Sequence, residues 1–264
     1  MVKHLRFHYL LELRFSELVK EHHFTLRAFP KSDDCQSVTG LRIEVSPNQF
    51  LEETEDAFGN TVLYGYEPHE HDLFHCEVSG FAETGLARFR VAGPSYTQGM
   101  FLRQTPLTEP GPELRAFFET IALPEGATNL EKATILMNAL CPVMTYQSGS
   151  TSVETTAEDA FAQKKGVCQD YSHIFLSLCR MAGIPCKYVA GMLLGTGESH
   201  AWVEIYDKEA YYALDPTNQI PVTDSHIKIA CAADGTGCSM NLGIMRGYAS
   251  QQQLIQVIVQ ELSM

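Results

Sequence analysis

The sequence predicts an α+β protein in two parts, an N-terminal antiparallel β-sandwich at residues 1–103 and a core of mixed helices and strands at residues 104–264. Three observations predict this fold class. The first part contains short apolar runs that alternate with polar residues, and it has almost no helical periodicity. A proline-rich stretch at residues 105–112 separates the parts. The second part begins with helical patterns and ends with a strand-like run.

Turn residues divide the first part into short strands. Residues 41–46 alternate between apolar and polar side chains, and residues 73–84 continue the pattern. Between them, residues 56–61 contain Asp, Gly and Asn, which are typical of a turn between strands. Short antiparallel strands at this spacing are expected to pack as a sandwich.

Helix-start signals follow the proline-rich stretch. Thr128 and Glu131 have the spacing of a capping box, in which two side chains bond the free N–H groups at a helix start. Thr155 and Glu158 have the same spacing. The second of these helices is predicted at about residues 156–164 and leads to the stretch that carries the chemistry.

That stretch is centred on Cys168, which is predicted to open a further helix. Gly166 lets the backbone turn tightly just before it, and Gly183 and Pro185 end the helix. The first turn of a helix has unpaired N–H groups and the positive end of the helix dipole, so Cys168 lies where a thiolate is favoured. The apolar positions that form one face of this helix are Tyr171, Ile174, Phe175, Leu178, Met181 and Ala182.

A β-hairpin is predicted downstream and supplies a base and an acid. The runs at 200–206 and 211–215 are rich in aromatic and β-branched residues and flank a four-residue turn. If the strands pair symmetrically about this turn, Trp202 faces Asp215. His200 shares a face with Trp202 because side chains alternate along a strand, so Asp215 lies diagonal to His200. A register slip of one residue would turn Asp215 to the other face.

Three segments together resemble the signature blocks of the bacterial transglutaminase-like superfamily. They are Gly-Val-Cys-Gln-Asp-Tyr-Ser-His at residues 166–173, His-Ala-Trp-Val-Glu at 200–204 and Leu-Asp-Pro-Thr-Asn at 214–218. The turn at 56–60 is similar to one in the β-rich N-terminal domain of bacterial members, and residues 226–230 resemble the strand that follows. The resemblance therefore covers both parts and implies a papain-like, transglutaminase-like α+β catalytic core after an N-terminal β domain.

The resemblance also implies a catalytic Cys-His-Asp triad. Matched position by position, Cys168 is the nucleophile, His200 is the general base and acid, and Asp215 orients His200. The three residues meet the general requirement that a nucleophile be activated by a base, and the base be held by a third group.

Four further residues are candidates for supporting roles. The backbone N–H of Cys168 is expected to donate to the oxyanion, and the second donor is Tyr146, which matches an aromatic of similar bacterial proteins, or Gln147. Asp170 either joins a polar network near the site or stabilises the first helical turn. Trp202 either shields the bond between His200 and Asp215 from water or is plain core, and the two roles are compatible.

Composition argues against some partners and locations. The net charge is −13 and the pI is about 5.2, which argues against nucleic acid or an anionic membrane as the main partner. The chain has no apolar run long enough to span a membrane and no apolar signal core. Its eight cysteines include no Cys-x-x-Cys pair, so we expect a cytoplasmic protein with reduced thiols.

Neither a metal nor a cofactor is expected. His69, His71, His75 and Cys76 invite a metal interpretation, but no complete ligand set at structural-zinc spacing accompanies them. An exposed loop explains the histidines at 69 and 71 better.

These observations favour an enzyme that transfers an acyl group from a peptide or protein substrate through a Cys168 thioester. Hydrolysis by a cysteine peptidase or amidase is the leading hypothesis. Crosslinking of glutamine to an amine by a transglutaminase is the first alternative, because it requires the same triad. A non-catalytic protein-binding module is the second, and the presence of all three triad residues counts against it. The oligomeric state is left open.

Overall fold

The computed structural model describes residues 1–93 and 95–262, and for residues 95–97 it describes the backbone alone. The described part contains four α-helices and three 3-10 helices. The α-helices are α1 Pro112–Glu119, α2 Asn129–Leu140, α3 Ala157–Gln163 and α4 Cys168–Met181. The 3-10 helices are Ser95–Leu102, Cys141–Val143 and Gly235–Cys238.

Sixteen strands account for most of the remaining regular structure in the described residues. In chain order they are β1 Lys3–Leu26, β2 Gln36–Ser46, β3 Phe50–Glu55, β4 Thr61–Glu67, β5 His71–Thr84, β6 Arg90–Val91, β7 Thr145–Tyr146, β8 Lys165–Gly166, β9 Cys186–Leu193, β10 Gly195–Gly197, β11 His200–Asp207, β12 Ala210–Asp215, β13 Ile220–Pro221, β14 His226–Ala232, β15 Asn241–Arg246 and β16 Gln251–Glu261.

The first sheet is antiparallel and is built on the long strand β1. The first half of β1 pairs with β5 and β16, and its second half pairs with β4 and β15. The pairing with β5 shifts between Arg14 and Val19, where β1 passes from one set of strands to the other. Alternate residues of the first half are buried, as expected for a strand with one face on the core. The antiparallel strands are confirmed, whereas the sandwich remains a prediction.

The sheet contains strands from both ends of the chain. β16 pairs with β1 along its whole length, from Leu5 opposite Glu261 to Phe15 opposite Gln251. The separation of the chain into parts at 1–103 and 104–264 stays a prediction. The sheets do not follow that boundary strictly, since β15 and β16 lie after the core in sequence and pair with β1 of the first sheet. None of the helices in the described residues is long and apolar enough to cross a membrane.

The second sheet carries the predicted hairpin. Its strand order is β13-β12-β11-β9-β14, and β6 pairs with β12. Tyr206 lies opposite Tyr211, which confirms the predicted register. Lys208 and Glu209 form the tight turn with positive φ angles of 48° and 66°, a geometry whose twist matches that of antiparallel strands. The hairpin side chains therefore lie on the predicted faces.

Helix α4 packs on this sheet and begins at Cys168, as predicted. Gly183 follows its end with a φ of 72°, a left-handed value that glycine adopts without strain. Gly166 is required for another reason: a Cβ built there would lie 2.5 Å from the Cβ of Asp170. The glycine before the cysteine therefore allows close contact between the loop and the helix it enters.

The capping predictions have mixed outcomes. The capping box that opens α2 is present. The one predicted at Thr155 is wrong by one residue, because Thr156 is the N-cap of α3 and accepts a hydrogen bond from the backbone N–H of Asp159 at 3.1 Å. Glu158 instead reaches another helix, where its carboxylate accepts from three backbone N–H groups at the start of α1 at 2.9–3.1 Å. The local pattern predicted that Glu158 would cap its own helix, but in the folded protein it caps α1.

Two amide side chains of the first sheet hold β14 at the edge of the second sheet. Gln36 donates from Nε2 to the carbonyl oxygen of Lys228 and accepts from its N–H, both at 2.8 Å. Asn60 makes the same pair of bonds, also at 2.8 Å, with Cys231. The predicted turn before β4 thus aligns β14, whose first residue lies in the candidate site.

A buried ion cluster also ties β14 to β11. Glu204 is 1% exposed, and its carboxylate accepts from Lys228 Nζ at 2.8 and 2.9 Å and lies 3.0 Å from Arg90 Nη1. Burial raises the pKa of Glu204, but these two cations and the nearby Lys187 outweigh burial and lower it to about 2. The carboxylate is therefore charged and fully compensated inside the protein.

Candidate active site

The first functional side chain is the thiol of Cys168 at the start of α4. Its neighbour Val167 is the N-cap residue, so the thiol lies beside the unpaired N–H groups of the first helical turn. The cysteine is reduced and half-buried. Its Sγ lies 4.0 Å from the carbonyl oxygen of Ser199, the residue before β11. The sulfur therefore lies against the beginning of the hairpin.

His200 lies between the sulfur and a carboxylate. Its Nε2 is 2.7 Å from Asp215 Oδ2, which leaves Nδ1 as the nitrogen available to the sulfur of Cys168. Burial alone would lower the pKa of His200, but hydrogen bonds to Asp215 and Cys168 outweigh it and raise the pKa to about 9. The three predicted triad residues are brought together, and the imidazolium form is favoured at neutral pH.

Asp215 is fully buried and accepts hydrogen bonds on both oxygens. Oδ1 accepts from the backbone N–H groups of Thr217 and Asn218 at 2.9 and 3.1 Å. Oδ2 accepts from Asn218 Nδ2 at 2.7 Å, in addition to His200. Burial raises the pKa of Asp215, but these bonds outweigh it and hold the pKa far below its usual range. The carboxylate is therefore ionised and fixed in direction.

A second histidine, His226, completes the surroundings of this carboxylate and was missed by sequence reasoning. Its Nε2 lies 3.1 Å from the same Oδ2 of Asp215, and its side chain is 1% exposed. The strand that begins with His226 was predicted, but its place beside the hairpin was not. A histidine at the first position of a buried strand was the available signal.

The indole of Trp202 covers both imidazoles. Its ring centroid is 6.2 Å from that of His200 and 5.2 Å from that of His226. Trp202 is 1% exposed and packs with a small apolar cluster that includes Val189 and Cys231. Both predicted roles are compatible with this position, since the side chain is buried and also packs against the two histidines.

The two candidates for the second oxyanion donor differ in position. Tyr146 pairs with Gly166 across β7 and β8, close to the nucleophile. Burial and the charge of Cys168 raise the pKa of its phenol. The backbone N–H of Gln147 donates to the carbonyl oxygen of Gly166 at 3.0 Å, so only its side-chain amide is free to act. The choice between them stays a prediction.

Asp170 supports the start of α4. Its Oδ2 accepts from the backbone N–H of Val167 and from Thr151 Oγ1, both at 2.7 Å. The residue is 1% exposed, and burial raises the pKa of its carboxyl. Of its two predicted roles, the bond to Val167 fits stabilisation of the first helical turn, and the bond to Thr151 fits a polar network that reaches the loop before α3.

Three side chains in the described residues could together hold a metal ion, and they are those of the site itself. Atoms of His200, Asp215 and His226 lie within 4.8 Å of one another. Hydrogen bonds account for the same arrangement, because both histidines can donate to an ionised carboxylate. His71 was predicted to lie in an exposed loop, but it is half-buried at the start of β5. It stacks on His22 with their nitrogens 3.2 Å apart.

Comparisons with known proteins match both parts of the chain. Residues 119–216 match the transglutaminase-like superfamily, and residues 5–83 match the bacterial transglutaminase-like N-terminal region. An uncharacterized protein of Mycobacterium leprae is 35% identical over 112 residues, which are 39% of this chain and 40% of that one. An uncharacterized protein of Mycobacterium tuberculosis H37Rv is 24% identical over 84% of this chain and 81% of its own length.

One solved structure shares the fold throughout. A candidate cysteine protease from Cytophaga hutchinsonii aligns with a TM-score of 0.82 and covers 100% of this chain and 92% of its own. The two sequences are 18% identical. The likeness therefore establishes that the two chains fold alike.

Proposed function

The chain belongs to the transglutaminase-like superfamily, a family of thiol-dependent enzymes, and we propose that it hydrolyses a peptide or amide bond through a thioester on Cys168. One observation carries the proposal. The imidazole of His200 is bonded to Asp215 at 2.7 Å on one side, and Cys168 lies close enough on the other side to help raise the pKa of His200. This is the order of nucleophile, base and orienting acid that cysteine acyl transfer requires.

Acylation begins with the Cys168 thiolate beside the His200 imidazolium. The sulfur attacks the carboxamide carbon, a C–S bond forms, and the carbonyl electron pair moves to oxygen. His200 then gives its proton to the leaving nitrogen as the C–N bond breaks and an amine departs. In deacylation the neutral His200 takes a proton from water, hydroxide attacks the thioester, and the C–S bond breaks. The product is a carboxylic acid, and the thiolate and imidazolium are restored.

Charge that develops on the carbonyl oxygen needs fixed donors. The backbone N–H of Cys168 at the start of α4 is one, because it has no partner within the helix. We propose the phenol of Tyr146 as the second, with the side-chain amide of Gln147 as its alternative. The closeness of Tyr146 to Cys168 supports this choice.

Asp215 sets the direction and the protonation of His200. Because Nε2 donates to the carboxylate, Nδ1 is directed to the sulfur and carries the proton that the leaving group needs. The raised pKa of His200 keeps that proton available at neutral pH. Trp202 supports the pair by excluding water from the bond.

Selective alkylation tests the enzyme proposal without a known substrate. At about pH 6 an ordinary thiol, with a pKa of about 8.5, is protonated and reacts slowly. We expect iodoacetamide to label Cys168 ahead of the other seven cysteines, as read by peptide mass spectrometry. His200→Ala should abolish this preference. Equal labelling of Cys168 and the buried thiols would overturn the proposal.

A second experiment separates hydrolysis from amine transfer. The protein is incubated with a glutamine-containing protein and a fluorescent primary amine, with Cys168→Ala as the control. Hydrolysis predicts new carboxyl groups without fluorescence on the protein substrate. Incorporated amine would replace the hydrolase by a transglutaminase, since the same thioester would then be resolved by an amine.

A further inference from the structure

We infer that His226 is a positioning residue of this site: its Nε2–H holds the carboxylate oxygen of Asp215 that orients His200, and it limits how strongly that oxygen stabilises the imidazolium. The inference rests on the proposed thiol chemistry and assigns a role to a residue outside the triad. It is drawn from the hydrogen bonds around one oxygen atom.

Three nitrogen atoms converge on Asp215 Oδ2. His200 Nε2 and Asn218 Nδ2 each lie 2.7 Å away, and His226 Nε2 lies 3.1 Å away. An ionised carboxylate can only accept, so each of the three nitrogens must carry a hydrogen that points to Oδ2. His226 is therefore a donor to the oxygen that His200 uses.

The opposite nitrogen of His226 supports this tautomer. Its Nδ1 is buried and has no hydrogen-bond partner among the described residues. An N–H at that position would be a buried donor without an acceptor, which costs more than an unpaired acceptor lone pair in the same place. The single proton of the neutral ring thus belongs on Nε2.

The ring of His226 is held rigidly in this orientation. Trp202 meets it edge-on, with an interplanar angle of 77°. The backbone of β14 behind it is fixed by the paired amide bonds from Gln36 and Asn60 of the first sheet. The first sheet therefore contributes to the active site indirectly, since it sets the strand on which this donor is mounted.

Donation from His226 has a predictable effect on His200. The titratable groups that face this network are Cys168 from α4, Asp215 from β12, His226 from β14 and the thiol of Cys141, whose pKa is raised by burial and by the charge of Asp215. A donor on Oδ2 draws negative charge away from the bond to His200. Its removal leaves more of that charge to stabilise the imidazolium, so His200 should lose its proton at a higher pH.

A pair of substitutions tests the donor role. His226→Phe keeps an aromatic ring and removes the donor, whereas His226→Gln keeps an N–H near the position of Nε2. The rate of Cys168 alkylation by iodoacetate is measured against pH in both variants and in the wild type. Iodoacetate is an anion, so its reaction slows when His200 loses its positive charge, and the alkaline limb of the profile reports that titration.

We expect His226→Phe to move the alkaline limb upward by about 0.4–1 pH unit, the range that one hydrogen bond supports. His226→Gln should restore the wild-type limb. A limb unmoved in His226→Phe, or moved equally in both variants, overturns the inference. Wild-type Cys168 that is not preferentially alkylated at all would instead overturn the proposed function, so the two failures are distinct.

A measurement on the unsubstituted protein covers the case in which His226→Phe does not fold. Nitrogen-15 labelling of the histidines and long-range proton correlation identify which ring nitrogen carries hydrogen. His226 should be protonated at Nε2 and unprotonated at Nδ1. The reverse tautomer would overturn the inference without any variant.

Discussion

Replacement of Asp215 by asparagine removes one negative charge from the centre of the candidate site and changes little in volume. The carboxylate accepts from two backbone N–H groups, one amide and two imidazoles. An asparagine side chain has one carbonyl oxygen, which can accept these hydrogen bonds, and one NH₂ group, which cannot. The NH₂ group would therefore face N–H donors on one side of the site. The hydrogen bond that His200 then donates goes to a neutral amide oxygen, and it is weaker than the charge-assisted bond to the carboxylate.

The size of the effect follows from the hydrogen bond that is lost. A bond to a charged group contributes about 1.5–3 kcal/mol, and one pKa unit corresponds to about 1.4 kcal/mol, so the pKa of His200 should fall by about 1–2 units. The sign is downward because the charge of Asp215 stabilises the protonated imidazole more than the neutral one. Starting from about 9, the alkaline limb of the iodoacetate profile should move to about pH 7–8.

The assay is the rate of Cys168 alkylation by iodoacetate as a function of pH. The matched control is Asp207→Asn, which removes the same charge at the far end of the same hairpin. We expect the control to keep the wild-type limb. If Asp215→Asn also keeps it while unfolding as cooperatively as the wild type, then Asp215 does not stabilise the imidazolium and the triad assignment is wrong.

Three further predictions test the helix start, the ion cluster and the oxyanion donor. Gly166→Ala places a Cβ 2.5 Å from that of Asp170, so denaturant titration should show a loss of about 1–3 kcal/mol, and alkylation of Cys168 should slow. Glu204→Gln leaves the buried Lys228 without its carboxylate partner, whereas Arg90 keeps Asp33, and should lower the free energy of unfolding by about 3–5 kcal/mol at pH 7. Because the pKa of Glu204 is lowered from 4.5 to about 2, its stabilisation is complete above pH 4.5 and is lost as the pH falls through 2; the variant should lack this acid-dependent loss in denaturation curves. Tyr146→Phe should reduce kcat by about 10²–10³-fold with little change in KM, and unchanged kcat would exclude the phenol as an oxyanion donor.

Local signals predicted the positions of the three candidate triad residues in the fold. The bounds of α4 depend on nearby residues alone, because Gly166 allows the tight approach before Cys168 while Gly183 and Pro185 end the helix. The hairpin register depends on a tight turn, and with Tyr206 opposite Tyr211 it places His200 and Asp215 on one face. Such features span a few residues, and neighbouring side chains set their geometry, so a single sequence is enough to predict them.

Contacts between segments that are distant in the chain could not be predicted from such local signals. The pairing of β16 with β1 joins the two ends of the chain, and no local pattern says which of many apolar strands is the partner. The same holds for Glu158, which caps a helix other than its own. Several strands have similar local propensities and could compete to pair with β1. Burial in the assembled core decides between them.

The amino-acid pattern was sufficient to place Cys168 at a helix start and His200 and Asp215 on one face of a hairpin, because short-range rules of helix starts and strand alternation determine these positions. The donor His226 became visible with the assembled sheets, since β14 lies beside β9 and is held there by Gln36 and Asn60 from the other sheet. Its contact with Asp215 arises from packing across the molecule, and packing energies depend on residues that are far apart in the chain.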